Sequence, residues 1–348
     1  MPACRHAPAG LILVAAALLA EPAWAGPFTL WITETPAGGT AQYNAQFKGG
    51  VRSYVFDGLG YAPADVSAGT TIAASSLNDP SSIVFDASGK LLIADRAFTS
   101  GPGAVSQVAF SGGTPGAATT LLANLDSGPH QLAVTGSGGL VVSSLSSGGK
   151  LFPNATAPST VSFASGTERG AVTSGNLLYS TAASGTLQTF SLTTGNLLGS
   201  FNVSGASLLH YGTLFGGSLY LADIGSNVNG AGGAVYKVTL DSNGNPTASS
   251  KVASVNGAIS VAFSPTGDEM FVASHFDGTL TGFALSGGTV AASSNLFIDG
   301  GTLAGWGGAH VQYGGLAISA VPEPGASALM LAGLGLLVSL ARRRSARA

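Results

Sequence analysis

Ile83-Val84-Phe85-Asp86-Ala87-Ser88-Gly89-Lys90-Leu91-Leu92-Ile93-Ala94-Asp95 reads as a short apolar strand, a turn built on Asp86, Ser88 and Gly89, and a second apolar strand. The unit recurs along the chain. Leu132-Ala133-Val134 and Leu140-Val141-Val142 flank Thr135-Gly136-Ser137-Gly138-Gly139, and Ala171-Val172 and Leu177-Leu178-Tyr179 flank Ser174-Gly175-Asn176. Leu214-Phe215 and Leu219-Tyr220-Leu221 flank Gly216-Gly217-Ser218; Val261-Ala262-Phe263 and Met270-Phe271-Val272 flank Pro265-Thr266-Gly267. Asp95, Ser144, Thr181, Asp223 and Ser274 close the second strands, at spacings of 49, 37, 42 and 51 residues. A third strand follows at 105–110, 187–192, 234–240 and 280–285, and a fourth at 120–123, 198–203 and 251–255. Four strands in each unit of about 40–50 residues are the signature of a β-propeller blade.

Five units run from Pro80 to about Gly300, and the ends of the domain supply the sixth. Residues 315–319 match a first strand, and 28–33, 41–47 and 53–56 supply the other three, so that N- and C-terminal strands share one blade and leave no open sheet edge. The expectation is an all-β, six-bladed propeller over residues 26–320. Seven blades is the alternative, because 61–76 has room for further strands; a β-helix or a β-sandwich array is the structural rival. No segment of 26–320 has a helical period.

This stretch carries fourteen acidic and eight basic side chains, net charge −6, with no basic patch of the kind nucleic acid requires. Charged residues are 8% of the chain against a usual value of about 25%. Regularly spaced Val, Ile, Leu, Phe and Tyr clusters nonetheless supply a core, which excludes a disordered chain.

Both ends are hydrophobic. Arg5 and His6, an apolar run at 9–20 and Ala23-Trp24-Ala25 make a signal peptide, residues 1–25, cleaved before Gly26 by signal peptidase. Removing it removes Cys4, the one cysteine, and with it disulfide and thiolate chemistry. At the other end Val321-Pro322-Glu323-Pro324 precedes seventeen uncharged residues, 325–341, and then Arg342, Arg343, Arg344 and Arg347. As a helix, 325–341 spans roughly 26 Å, near the lower limit for a hydrocarbon core of about 30 Å. The arginines hold the C-terminus on the cytoplasmic side, and Pro322 and Pro324 keep the preceding backbone extended.

Tripeptide, span and arginine cluster in that order resemble the PEP-CTERM sorting tail, here residues 321–348. The resemblance implies that an exosortase, a membrane-embedded cysteine protease, recognises Pro322-Glu323-Pro324 and releases or transfers the protein. It also implies a protein exported across the inner membrane, anchored on the periplasmic side, then placed at the cell surface or outside the cell, in a setting of exopolysaccharide and envelope proteins. The strand pattern of 28–319 resembles propellers of the NHL, YVTN and SMP-30 type, a group that hosts many unrelated activities.

Four histidines remain after cleavage: His130, His210, His275 and His310. Antiparallel pairing puts the start of a first strand and the end of a second on one face. His130 precedes a first strand, and Asp95, Asp223 and His275 lie at or just after second-strand ends, so all four are expected to rim one channel mouth. There His130 and His275 are the candidate acid–base groups, and Asp95 and Asp223 the candidate ligands of one divalent metal ion; the plain alternative is a set of turn-capping residues. Gly128-Pro129-His130 resembles the strand-start histidine of streptogramin-lyase-type propellers, but no other unit repeats it. Asp241-Ser242-Asn243-Gly244-Asn245-Pro246 begins like a calcium loop, yet Pro246 and Val252 stand where an EF-hand needs Gly and Glu, so it reads as a hairpin turn. Trp31, Trp306 and Tyr313 are candidates for sugar stacking or for the core.

The reading with most support is a non-catalytic binding propeller with no cofactor, sorted by exosortase and recognising polysaccharide or protein. The rival is a metal-dependent lactonase-like or lyase-like enzyme with its site at the channel mouth.

Overall fold

In a computed structural model the described residues are 27–36, 49–57, 66–72, 77–96, 102–125, 128–144, 148–155, 161–163, 168–182, 184–225, 231–286, 289–298 and 311–320. The expected signal peptide, the helix at 325–341, the strand at 41–47, Trp306 and His310 lie outside them. Among the described residues there is no helix, and none long and apolar enough to cross a membrane.

Six four-stranded antiparallel sheets form a closed ring. Blade 2 comprises Pro80–Phe85, Leu91–Asp95, Gly103–Val108 and Thr119–Leu125, from the axis outward. Blade 3 is Pro129–Val134, Leu140–Ser144, Gly149–Phe152 and Val161–Phe163; blade 4 is Glu168–Ser174, Leu177–Ala182, Thr186–Ser191 and Leu197–Asn202. Blade 5 is Leu209–Phe215, Ser218–Asp223, Ala234–Leu240 and Pro246–Ser254; blade 6 is Ala258–Phe263, Glu269–Ser274, Leu280–Ser286 and Thr289–Ile298. Blade 1 closes the ring: its inner strand is Val311–Ala320, and Phe28–Pro36, Gly50–Phe56 and Val66–Ile72 complete it.

Residues 66–72 are therefore the outer strand of blade 1 and not the start of a seventh blade. Ser53 Oγ donates to Thr70 O at 3.0 Å and accepts from Thr70 N at 2.8 Å, and Ile72 is buried beside Val51 and Trp31. Closure is also tied by a side chain, since Trp31 Nε1 donates to Ser319 Oγ at 3.1 Å. Trp31 and Tyr313 are 3% and 1% exposed, and Trp31 packs edge-on against Phe110, so both belong to the core and neither offers a sugar-stacking face.

Among the described residues the apolar side chains form six clusters, five of them between two neighbouring blades and one spanning blades 5, 6 and 1. Successive side chains of a strand point to opposite faces: Leu91 and Ile93 pack toward blade 1, and Leu92 and Ala94 toward blade 3. A strand buried on both faces has to be apolar at consecutive positions, which is why the repeat reads as runs such as Leu91-Leu92-Ile93-Ala94 without alternation. Each buried Leu or Ile contributes about 1.5–3 kcal/mol relative to exposure. The first-to-second hairpins are tight turns with glycine at positive φ; in the Asp86 turn, Gly89 has φ +77° and Asp86 Oδ1 accepts from Ser88 N and Lys90 N. The Asp241 loop is such a turn too, with Oδ1 accepting from Asn243 N and Asn245 N.

Candidate ligand-binding site at the channel mouth

The six inner strands share one irregularity. Each pairs regularly with its second strand from the hairpin end and then carries an extra residue close to where the strand begins. The first pairs beyond the bulge are Pro80 with Asp95, Pro129 with Ser144, Glu168 with Ala182, Leu209 with Asp223, Ala258 with Ser274 and Tyr313 with Glu34. A β-bulge breaks the alternation of the strand and re-aims its side chains. The bulges contain Ser81, His130-Gln131, Arg169, His210-Tyr211, Ile259 and Gly314-Gly315, so these positions form a ring around one mouth of the channel. The second strand of blade 4 closes at Ala182, one residue beyond the expected Thr181.

Neighbouring blades fasten this ring through hydroxyls. Thr33 Oγ1 donates to Ser81 O (3.3 Å), Ser81 Oγ to Pro129 O and His130 O (2.9 and 3.0 Å), Ser143 Oγ to Arg169 O (3.2 Å) and Thr181 Oγ1 to His210 O (2.8 Å). Gly170 is needed for this approach, because a Cβ there would sit 2.4 Å from His210 O and 2.5 Å from Thr181 Oγ1. Two side chains close the channel beneath the ring. Gln131 of blade 3 accepts from Ala171 N of blade 4 (2.7 Å) and donates to Gly212 O of blade 5 (3.0 Å). Tyr211 of blade 5, 3% exposed, lines the floor of the channel beside it.

Above this plug His130, His210, His275, Arg96 and Arg169 converge from blades 3, 5, 6, 2 and 4. His130 is 2% and His210 4% exposed. Burial, then the charges of Arg96, Arg169 and His275, holds His130 well below the ordinary histidine value of 6.5. His210 is held well below it as well, by burial and then chiefly by Arg169 and His130, and His275 is lowered to about 4, mainly by burial. Arg169 Nη1 donates to His210 Nε2 at 2.7 Å, which leaves the His210 proton on Nδ1. His275 Nδ1 donates to Tyr313 O at 3.1 Å. Arg96 forms a two-pronged ion pair with Asp79, Nε–Oδ2 2.8 Å and Nη2–Oδ1 3.0 Å. Among the described residues, both ring nitrogens of His130, His210 Nδ1 and Arg169 Nε are buried without a hydrogen-bond partner.

The structure thus brings His130 and His275 to one mouth, with His210, whereas the two acidic candidates serve the loops. Asp95 accepts from Asn78 N and Asp79 N (2.9 and 2.8 Å), and Asp223 from Ser207 N, Leu208 N and Gly225 N (3.0, 2.8 and 3.1 Å). Each carboxylate holds the chain that leads into the inner strand of its own blade. Among the described residues, no three His, Cys, Asp or Glu side chains are placed to hold a metal ion. Arg169 and Gln131 escape sequence reasoning because only the bulges re-aim them; Arg96, the first residue after Asp95, was open to discovery from the repeat.

The opposite end of the channel is a funnel of about 560 Å³, lined by the inner strands from Ser82, Gln131, Ala171, Gly212, Ser260 and Gly315 outward, chiefly by Val, Ala, Leu, Phe and Thr side chains. Because Val311–Ala320 is an inner strand running from the His/Arg mouth toward this funnel, Ala320 lies at the funnel end, where it pairs with Phe28. The last described residue before the sorting segment thus stands on the funnel side.

Residues 320–345 match the PEP-CTERM protein-sorting motif. The chain carries a PEP-CTERM sorting signal. That signal marks an exported exosortase substrate, anchored at the membrane while it is sorted. Comparison with curated protein sequences gives no match. Solved structures that resemble the PEP-CTERM protein are propellers. A chain of the nidogen–laminin complex aligns at 12% identity and TM-score 0.56, over 85% of this chain and 99% of that one. The periplasmic gluconolactonase of Pseudomonas aeruginosa aligns at 18% and 0.54, over 85% and 86%. A candidate 6-phosphogluconolactonase from Bacteroides uniformis aligns at 16% and 0.51, over 77% and 82%. At such identities the likeness concerns the fold alone.

Proposed function

We propose that this exosortase-sorted propeller is a non-catalytic binding module of the cell envelope or extracellular matrix, and that its His/Arg mouth is the binding face. The observation that carries the reading is how the mouth's polar groups are used. Asp95 and Asp223 cap loops, Asp79 is paired with Arg96, and Glu34 is paired with Arg52 at 2.9 Å. What remains is rich in hydrogen-bond donors. A histidine held well below 6.5 beside a guanidinium is a weak general base, so the mouth is better suited to holding a ligand than to activating water.

Strand polarity supports the same face. With Ala320 at the funnel end, an anchored propeller turns its His/Arg mouth away from the bilayer, toward soluble or matrix partners. Processing at Val321-Pro322-Glu323-Pro324, with Arg342, Arg343 and Arg344 as the membrane stop, would then set it free without changing that face.

The test is to assay the purified full-length protein for lactone hydrolysis with Mg²⁺, Ca²⁺ or Zn²⁺, alongside a glycan-binding screen. Binding without turnover is expected; metal-dependent hydrolysis that is lost in H130Q would replace the binding module with the enzyme.

A further inference from the structure

We infer that the channel mouth binds a small molecule through a single carboxylate, held by Arg169 and His130. This deepens the binding-module reading and rests on it. Three observations lead there. First, the unpartnered groups are mostly donors. Among the described residues Arg169 Nε–H is buried with no acceptor, and His130, 2% exposed, has neither ring nitrogen paired. A buried polar group left unpaired costs about 1–3 kcal/mol, and a ligand oxygen that accepts from these groups removes that cost.

Second, the groups are set side by side. His210 Nε2 accepts from Arg169 Nη1 and so fixes the guanidinium, and His130 stands on the neighbouring blade. The carbonyls of residues 130, 169 and 210 are tied by Ser81, Ser143 and Thr181, so the site is built before any ligand arrives. Pre-set donors lose little freedom on binding.

Third, the charge selects the ligand. The groups facing the site are Arg96, Asp79, Arg169, Tyr211 and the three histidines. Asp79 neutralises Arg96, and the histidines are uncharged near neutral pH. One uncompensated positive charge remains, that of Arg169, which has no carboxylate partner among the described residues. A lone guanidinium with flanking N–H donors matches a monoanionic, planar carboxylate. A divalent cation would meet that charge as repulsion, and a dianionic phosphate would bring a second charge with nothing to balance it.

The experiment is calorimetric titration of the full-length protein in detergent with three probes: galacturonate, galactose as its uncharged counterpart, and inorganic phosphate. Galacturonate is expected to bind at least tenfold more tightly than either of the others. R169Q should weaken it by about tenfold or more, and R169K, which keeps the charge but not the planar fork, by less. Thermal unfolding of each variant reports folding separately, and the wild-type comparison of the three probes needs no variant. Equal affinity for galacturonate and galactose, preference for phosphate, or full affinity in a folded R169Q would overturn the carboxylate site. Neutral glycans bound in the screen alongside such a result would leave the binding module standing, whereas lactone turnover would remove both.

Discussion

The two ends of the central channel are lined by the same six inner strands and differ in almost every chemical respect. From the middle of each strand to its hairpin the pairing is regular, and the side chains facing the axis are small, apolar or hydroxylic: Val84, Ala133, Val172, Thr213, Val261 and Ala317 are examples. Near the start of each strand a bulge adds a residue, and the axis there meets His130, Arg169 and His210 in place of Val and Ala. Register alone separates the ends. A regular strand turns its side chains alternately to the two neighbouring blades, and a bulge breaks that alternation. The interior of a propeller can thus stay generic while one mouth acquires its own chemistry.

The largest expected effect on this contrast is removal of the strand that spans it. Truncation before Val311 takes away the inner strand of blade 1, opens the ring at two apolar faces and is expected to abolish the cooperative melt seen by circular dichroism. Truncation after Ala320 keeps that strand, so the fold and both channel ends should persist while membrane retention is lost. A chain ending at Ala320 that failed to fold would assign the sorting segment a structural role.

Next is orientation. E323A is expected to block processing and accumulate the anchored form. In that background a single cysteine from D277C, beside the His/Arg mouth, should react with a bulky maleimide several-fold faster than one from S137C, at a hairpin on the funnel end. Equal rates would break the link between strand polarity and the outward face.

The plug that divides the channel is open to Q131A. The substitution leaves Ala171 N and Gly212 O without their partner in the interior, and a loss of about 2–4 kcal/mol is expected from denaturant unfolding. A loss below about 1 kcal/mol would mean that Tyr211 closes the channel alone.

The smallest effect concerns pH. Glu269, near the funnel end, is 1% exposed, and burial together with neighbouring Asp268 pushes its carboxyl from 4.5 up to about 7. The fold therefore binds this proton more tightly than the unfolded chain does, and stability is lost as pH rises from about 4.5 through 7. E269Q should match the wild type near pH 4.5 and exceed it at pH 8, by on the order of 1 kcal/mol. The mouth has the opposite sign. His130, His210 and His275 are neutral in the fold, so their contribution is intact above about 6.5 and falls away as pH drops below it. A wild-type stability that rose steadily from pH 5 to pH 8 would show the mouth outweighing Glu269 and Glu34.

The blade repeat, the ring closure between residues 28–33 and 315–319, and the sorting tail were legible in the sequence because each rests on local pattern. Apolar runs around Asp/Ser/Gly turns announce hairpins, and a tripeptide, an apolar span and arginines stand in order. Thr186–Ser191 and Ala234–Leu240 lie where the strand pattern puts them. The short strands Gly149–Phe152 and Val161–Phe163 were missed because they carry few consecutive apolar residues. For the site, the sequence brought His130 and His275 to one mouth by antiparallel logic. The roles of Asp95 and Asp223 were undecided between metal ligand and loop cap, because a carboxylate at a strand end suits both. Only the tertiary structure showed their oxygens on backbone amides, and only it moved Arg169 and His210 to the axis. A bulge leaves no mark in composition; it arises when neighbouring blades pack so closely that Gly170 is required, and it is that packing which decides where each side chain points.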